Sequence, residues 1–182
     1  MHQLGDLVGV LLAGGLSRRM GQDKALLELH GRSLLQFQIN LLSPLCSTVI
    51  VSGDYPGFTC VPDTVARCGP IGGIYSVAMQ FPDSALLIIP VDMLGLTHKH
   101  LAQLSQCVYA CHFANQPLPA FFPSSKQVVT VIQQLFAEPK PDFSIRYLHS
   151  ALSSKSLVDS SFAPSNINTP ADWQNFTQNN YK

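Results

Sequence analysis

The stretch Val8-Gly-Val-Leu-Leu-Ala-Gly-Gly-Leu-Ser-Arg-Arg-Met-Gly-Gln-Asp-Lys24 decides the fold. It opens with an unbroken apolar run, residues 8–12, which is typical of a strand buried on both faces of a parallel sheet. The Ala-Gly-Gly that follows allows a sharp turn and brings backbone N–H groups close to an anion. Arg18, Arg19 and Lys24 add three cations beside this turn. The stretch therefore predicts a polyphosphate site, although it matches neither G-x-G-x-x-G nor the P-loop.

The bulk composition limits the class of protein. The chain has 182 residues, of which 46% are hydrophobic and 12% charged, and its formal net charge is +0. These values predict one compact domain over residues 1–182 and favour neither nucleic acid nor a membrane as a partner. The sequence shows no signal peptide, and its five cysteines include no C-x-x-C pair. We therefore expect the protein in the cytoplasm.

Cys107, Cys111 and His112 superficially suggest zinc. Their spacing predicts two cysteines on one face of a strand, where buried free thiols are common, and structural zinc needs four ligands. We expect no zinc there.

Hydrophobic periodicity and turn residues predict the other elements. Strands are expected at 48–52, 58–61, 85–90 and 156–159, with a hairpin whose arms are 108–114 and 118–122. Helices are expected at 34–42, 75–81, 96–104, 127–138, 143–152 and after Thr169, with Ser33, Thr97 and Thr169 as N-caps. Pro119 marks an edge strand or a ligand-lining strand. The glycine-rich turn at 68–74 fits either tight helix packing or close approach of a ligand.

The alternation of apolar strands and helices predicts a doubly wound α/β fold with an open, mostly parallel sheet and a small hairpin. Such sheets bind ligands at the carboxyl ends of their strands, near the point where strand order reverses. Residues 13–24 and residues 91–93 both follow central strands, so we expect them at the same edge.

Asp92 is the predicted metal ligand. It directly follows an apolar strand, where a carboxylate is costly unless it is solvated, paired or metal-bound. Mg²⁺ takes one or two carboxylates together with phosphate oxygens and water. The alternative is a carboxylate that caps the next segment. Asp63 ends a short strand and fits a contact to base, ribose or metal-bound water, or an ordinary turn.

The cations of the opening loop suit phosphate chemistry. Lys24 is predicted to neutralise the phosphates during attack on the α-phosphorus, and Arg19 to hold the pyrophosphate leaving group. The alternative for both is solvated surface charge, which is what we expect for Arg18.

Three motifs carry a family resemblance. Residues 12–24 (L-A-G-G-x-S-x-R-M-G-x-D-K), 69–73 (G-P-I-G-G) and 168–172 (N-T-P-A-D) resemble the molybdenum cofactor guanylyltransferases. The resemblance implies a three-layer α/β/α, Rossmann-like nucleotidyltransferase domain. It also implies that the nucleotide is contacted by Leu12, Ala13, Gly14, Gly15, Lys24 and Asp63, that Asp92 binds Mg²⁺, and that Asn168 and Arg146 lie towards molybdopterin.

Two positions depart from the family pattern. The aspartate motif is Pro-Val-Asp-Met-Leu at 90–94 rather than P-C-D-x-P, and Ser52 stands where a nucleotide-contacting Asn is expected.

The activity that the resemblance implies is transfer of GMP from Mg²⁺–GTP to the terminal phosphate of molybdopterin, with release of pyrophosphate. Cofactor-insertion proteins and molybdoenzyme chaperones are further partners that it suggests. The alternatives are a cytidylyltransferase acting on the same or a related phosphorylated acceptor, and a non-catalytic nucleotide-binding accessory protein.

Overall fold

The computed structural model describes residues 6–14 and 23–180. In this part of the chain the strands are β1 (Leu7–Leu12), β2 (Glu28–Leu29), β3 (Arg32–Ser33), β4 (Thr48–Ser52), β5 (Cys60–Val61), β6 (Ala85–Pro90), β7 (Met93–Leu94), β8 (Cys111–Phe113), β9 (Ala120–Phe122), β10 (Lys155–Leu157) and β11 (Ser165–Asn166). The helices are α1 (Leu34–Leu42), α2 (Pro70–Gln80), α3 (His98–Ser105), α4 (Ser125–Phe136), α5 (Ile145–Ala151) and α6 (Pro170–Asn180), with a 3-10 turn at Lys24–Leu26. None of these helices is long and apolar enough to cross a bilayer.

Seven strands form the central sheet, in the order β10-β8-β9-β6-β1-β4-β5. β1 pairs in parallel with both β4 and β6, whereas β9 runs antiparallel to its neighbours β6 and β8. The chain builds outward from β1 to β4 and β5, then returns to place β6 on the other side of β1. The strand order therefore reverses between β1 and β6, which is where a doubly wound sheet opens a ligand crevice.

Helices cover both faces of the sheet. Val49 of β4 and Leu42 of α1 both lie within 3.4 Å of the position that a Cβ at Gly9 would take, so these residues share one face. Ser52 is three residues beyond Val49 and therefore points to the opposite face, where its hydroxyl lies against Gly73 of α2. This is the expected α/β/α arrangement.

Several local predictions are confirmed. α1, β4 and β6 have the bounds expected from the sequence. Ser33 and Thr97 cap α1 and α3, because their hydroxyls accept hydrogen bonds from the N–H groups of Gln36 and His100.

The hairpin region differs from the prediction. β9 lies between β6 and β8, so Pro119 does not mark an edge strand; it precedes β9 and leaves the ladder intact. The first arm shortens to Cys111–Phe113. Cys107 consequently lies outside the strand, and the expectation that it shares a strand face with Cys111 is wrong.

The second glycine-rich segment is a helix rather than a turn. α2 begins at Pro70, whose ring fixes the φ angle of the first helical turn, and Gly69 precedes it with φ of 53°. A Cβ at Gly72 would lie 2.9 Å from Val65 O, and one at Gly73 would overlap the Ser52 hydroxyl. The tight helix packing expected as one alternative for this segment is therefore observed, and close approach of a ligand stays a prediction. The strands predicted at 58–61 and 156–159 are also shorter or shifted, as Cys60–Val61 and Lys155–Leu157.

The C-terminal segment returns to the edge of the sheet where β6 ends. β11 pairs antiparallel with β7, with Asn166 opposite Met93. The N–H of Ile167 then donates to Asp92 O at 2.8 Å. This small second sheet brings residue 168 to the end of β6.

We expect Gly73→Ala to lower the free energy of unfolding by about 1–3 kcal/mol, because the new methyl would overlap the Ser52 hydroxyl. An alanine in place of a glycine inside a helix normally raises stability by about 1 kcal/mol, so the sign alone is diagnostic. Urea unfolding measures the change. Adding Ser52→Gly should recover at least half of the loss, and a Gly73→Ala protein as stable as the parent would contradict the packing described.

Candidate active site

Two loops leave the sheet side by side where the strand order reverses. Leu12 and Pro90 are paired at the carboxyl ends of β1 and β6, and the N–H of Val91 donates to Leu12 O at 3.0 Å. The chain then continues into Gly14 on one side and Asp92 on the other. The described parts of the two segments that the sequence placed at one edge therefore do lie together there, and we call the space between them the crevice.

Lys24 joins the elements around this crevice. Its Nζ donates to Asp92 Oδ2 at 2.8 Å and to Asn168 Oδ1 at 2.9 Å. The side chains of Lys24 and Asp92 are 15% and 25% exposed, so the pair is partly shielded from water but open on one side. One ammonium group thus links the first loop, the end of β6 and the C-terminal segment.

The position of Lys24 is set by the turn that carries it. Asp23 caps the 3-10 turn Lys24–Leu26, because its Oδ1 accepts from the N–H of Ala25 at 2.9 Å. Ala25 is fully buried and anchors the turn in the core.

Gln38 of α1 holds the loop after β6 from the opposite side. It is fully buried, and its Nε2 donates to Met93 O at 2.7 Å and to Val91 O at 3.4 Å. These bonds fix the backbone on both sides of Asp92. Sequence analysis missed this residue, although a polar side chain on the apolar face of α1 was a usable signal.

Asn168 is positioned by the cap of α6. Asp172 Oδ2 accepts from the N–H groups of Asn168 and Thr169 at 2.9 and 2.8 Å, and the N–H of Asp172 donates to Thr169 Oγ1 at 3.2 Å. Hydrogen bonds from the Asn168 backbone, then the Thr169 hydroxyl and backbone, hold the pKa of Asp172 below its usual value. The predicted capping box is confirmed, and it directs the Asn168 side chain to Lys24.

The backbone N–H groups of Ala13 and Gly14 are used inside the protein. They donate to Ser52 O at 3.2 and 2.9 Å. The small residues here let the ends of β1 and β4 approach each other, and these two N–H groups do not face an anion. Three further predicted positions, Gly15, Arg18 and Arg19, lie outside the described residues.

Ser52 and Asp63 meet at the ends of β4 and β5. The Ser52 hydroxyl donates to Asp63 Oδ1 at 3.2 Å, and Ser52 is only 2% exposed. Asp63 is exposed. The buried Ser52 hydroxyl therefore orients the Asp63 carboxylate, and the exposed Asp63 is the member of the pair that a ligand could contact.

Tyr55 is a second residue that sequence analysis missed. Its hydroxyl lies 3.0 Å from Ala13 O and 3.0 Å from Asp23 Oδ2. It therefore contacts both ends of the segment that begins at residue 13 and ends at Lys24. A tyrosine in the β4–β5 loop carries no local pattern that would have revealed this contact.

A cavity of about 390 Å³ lies beside α5, under the β8–β9 loop. His112 and Ser156 line it from paired positions on β8 and β10, and Arg146 and His149 line it from α5. Arg146 is exposed and forms no ion pair with any described residue. The cavity is therefore polar, with one available cation at its rim.

His149 is held neutral in the wall of this cavity. Its Nε2 donates to Pro117 O at 2.8 Å, so Nδ1, 2.9 Å from the Ser154 hydroxyl, acts as the acceptor. Burial lowers the pKa of His149 to about 4; the bond to Pro117 opposes this shift and the nearby His112 adds to it.

A cation and a carboxylate meet at the switch point of a doubly wound sheet, which is where nucleotide-binding α/β proteins of this topology bind their ligands. The sequence profile described as the MobA-like NTP transferase domain matches residues 9–152. The molybdenum cofactor guanylyltransferase of Xanthomonas euvesicatoria is 37% identical over 94% of this chain and 95% of its own length.

The chain therefore belongs to the MobA-like NTP transferase family, and with these relatives it is a nucleotidyltransferase. The resemblance seen in the three sequence motifs is confirmed.

Solved structures give the same fold. Molybdopterin-guanine dinucleotide biosynthesis protein A of Archaeoglobus fulgidus superimposes with a TM-score of 0.69 at 20% identity, covering 92% of this chain and 95% of that one. The CTP:phosphocholine cytidylyltransferase of Streptococcus pneumoniae gives 0.60 at 14% identity, covering 95% and 98%. At these identities the likeness is one of fold alone.

The buried neutral His149 predicts a pH-dependent stability. Because its pKa is lower in the folded chain, the unfolded chain binds more protons between about pH 6.5 and pH 4. The free energy of unfolding should therefore fall by roughly 1–2 kcal/mol as pH decreases through this window. Urea unfolding at several pH values should show that the free energy of unfolding falls less with decreasing pH in His149→Gln than in the parent. The exposed His98→Gln is the control and should keep the parent slope; equal slopes for all three proteins would contradict the assignment.

Proposed function

We propose that this protein transfers GMP from GTP, in the presence of Mg²⁺, to the terminal phosphate of molybdopterin and releases pyrophosphate, as one nucleotidyltransferase domain. The observation that carries the proposal is the Lys24 ammonium group, bonded to Asp92 and Asn168 at the switch point of the sheet. The names of the relatives supply the nucleotide and the acceptor.

The proposed reaction needs alignment and charge neutralisation more than proton transfer. An acceptor phosphate oxygen attacks the α-phosphorus of GTP, a new P–O bond forms, and the bond to the pyrophosphate oxygen breaks. The acceptor is already anionic at neutral pH, so no general base and no covalent enzyme intermediate are required. Lys24 neutralises phosphate charge as it builds up, and Arg19 is proposed to steady the pyrophosphate.

The residues at the crevice fit a magnesium ion that shares its ligands with a nucleotide. Asp92 Oδ2 is held by Lys24, while Oδ1 receives no hydrogen bond from any described residue. The described residues contain no cluster of three His, Cys, Asp or Glu side chains. One carboxylate completed by phosphate oxygens and water is nevertheless a usual magnesium site. When bound, the ion supplies positive charge beside the α-phosphate.

The nucleotide is proposed to lie along the carboxyl ends of β1, β4 and β5. The residues assigned to it are Leu12, Ala13, Gly14, Gly15, Lys24, Ser52 and Asp63. Ser52 acts indirectly, because its side chain is buried. Its hydroxyl orients Asp63, and its carbonyl holds the N–H groups of Ala13 and Gly14.

The acceptor is proposed to enter from the side of Asn168 and to extend towards the cavity at α5. β8 is separated from β6 by one strand, so its carboxyl end lies roughly 10 Å along the sheet edge from that of β6. Arg146 at the rim has no carboxylate partner among the described residues, which suits an anionic acceptor.

We further propose that the protein works in the cytoplasm. All five cysteines are free, which suits the reducing cytoplasm. Contacts with cofactor-insertion proteins and molybdoenzyme chaperones remain predictions of the resemblance. The accessory-protein alternative is not retained, because the curated relatives are transferases.

Pyrophosphate release measures the proposed activity. With full-length protein, Mg²⁺ and molybdopterin, GTP should support release, and mass spectrometry should detect the guanine dinucleotide. Release with CTP should be at least about tenfold slower, which corresponds to a difference of about 1.4 kcal/mol in activation free energy. Faster release with CTP would establish the cytidylyltransferase alternative. No release with either nucleotide would refute the proposal.

Two variants test the central pair. Asp92→Ala should lower kcat by at least about 10³-fold and Lys24→Met by about 10²-fold, because each removes charge that stabilises the transition state. The exposed pair Asp83 and Lys126 provides matched controls, and Asp83→Ala and Lys126→Met should retain parental kcat. Near-parental kcat for Asp92→Ala, with an unchanged circular dichroism spectrum, would remove Asp92 from the mechanism.

Arg146→Gln tests the acceptor side. We expect the KM for molybdopterin to rise about tenfold while the Kd for GTP, measured by calorimetry, stays within about twofold of the parent. Lys140→Gln removes an exposed cation elsewhere and should change neither value. A rise in the Kd for GTP, or an unchanged KM for molybdopterin, would show that the acceptor lies elsewhere.

A further inference from the structure

We propose that Tyr55 is a positioning residue for the transfer reaction: its hydroxyl, which lies beside Ala13 O, donates a hydrogen bond to Asp23 and thereby sets the position of Lys24. This inference deepens the proposed function and rests on it for the role of Lys24. The Tyr55 contacts themselves are independent of the substrate.

The Tyr55 hydroxyl lies between two acceptors. Ala13 O and Asp23 Oδ2 are each 3.0 Å from it, and they belong to residues ten positions apart in the sequence. A hydroxyl has one proton, so it donates to one acceptor at a time, and the carboxylate is the stronger of the two. The phenol therefore bonds Asp23 in preference to Ala13 O, and it is the Asp23 bond that can restrain the turn before Lys24.

Tyr55 is itself fixed by the β4–β5 turn. Its backbone N–H donates to Cys60 Sγ at 3.4 Å, and its carbonyl accepts from the N–H of Phe58 at 3.2 Å. The ring lies over Gly53, where a Cβ would come within 2.8 Å of Tyr55 Cε2. Because the Tyr55 backbone is hydrogen-bonded and its ring packs on Gly53, the hydroxyl has a defined position next to the loop.

Asp23 connects Tyr55 to Lys24. One carboxylate oxygen of Asp23 meets the Tyr55 hydroxyl, and the other caps the turn that begins at Lys24. We therefore expect a shift of Asp23 to move the Lys24 backbone and to lengthen the bond from Lys24 to Asp92. The chain of contacts runs through three side chains, all in the described residues.

The hydroxyl keeps its proton throughout the working pH range. Burial raises the pKa of Tyr55, and the hydrogen bond and charge of Asp23 raise it further. Tyr55 therefore stays a neutral phenol and donates a hydrogen bond to the Asp23 carboxylate.

The experiment uses Tyr55→Phe, which removes the hydroxyl and keeps the ring over Gly53. We expect kcat for GMP transfer to fall about tenfold, with the Kd for GTP within about threefold of the parent and an unchanged melting temperature. Tyr109→Phe removes an exposed hydroxyl elsewhere and should leave all three values unchanged. Parental kcat in Tyr55→Phe would overturn the proposal.

A cycle with Lys24→Met separates positioning from a general structural role. If Tyr55 acts through Lys24, adding Tyr55→Phe to Lys24→Met should lower kcat by less than about a further twofold. An additional tenfold loss there would overturn the proposal.

A chemical readout keeps this test separate from that of the proposed function. Lys24 should be acetylated several-fold faster by an N-hydroxysuccinimide ester in Tyr55→Phe than in the parent, as followed by mass spectrometry without substrate. Lys126 serves as the internal control for reagent reactivity. An unchanged Lys24 rate would overturn the positioning role even if GMP transfer is observed. A faster rate would support that role even if the parent transfers no GMP.

Discussion

The structure around the crevice depends on one ammonium group. Lys24 bonds Asp92, 68 positions away, and Asn168, 144 positions away, so a single side chain ties three distant parts of the chain. Such a pair is weak evidence for a role in stability. Charges that are only 15% and 25% exposed lose much of their hydration, and apolar replacements for shielded ion pairs are often equally stable. The pair is better explained by a substrate that brings negative charge, because a phosphate entering the crevice can share the ammonium group with Asp92.

Sheet topology makes this arrangement possible. β1 and β6 are adjacent and parallel, so their carboxyl ends deliver Gly14 and Asp92 to one edge although the segments are far apart in sequence. Asn168 arrives by a separate route: β11 pairs with β7, and Ile167 bonds the carbonyl of Asp92. The C-terminal segment is thus a structural part of the crevice, and the capping box of α6 fixes the Asn168 side chain towards Lys24.

Short-range patterns explain which features the sequence could predict. The apolar runs of β1 and β6, the Ser33 cap and the capping box at Thr169 depend on residues within four positions of one another, and each was predicted correctly. The presence of Lys24 and Asp92 at one edge followed from parallel topology. Long-range side-chain contacts leave no such pattern, so Tyr55 and Gln38 were missed. Of the two alternatives for Pro119, the edge strand is wrong, because a proline beside a strand start is equally compatible with an inner strand whose ladder it does not enter; the ligand-lining strand stays a prediction.

The small residues at the start of the first loop bind another strand end and not an anion. The N–H groups of Ala13 and Gly14 both bond Ser52 O, so the turn closes two strand ends against each other. Within the described residues, positive charge for a phosphate therefore comes from the Lys24 side chain rather than from these backbone dipoles. A flexible side chain is a less exact donor than a fixed amide unless its base is held in place. The Asp23 cap supplies that restraint at the base of Lys24, and the bonds to Asp92 and Asn168 supply it at the ammonium end. Lys24 is thereby oriented before any nucleotide binds, so its charge requires little reorganisation during transfer.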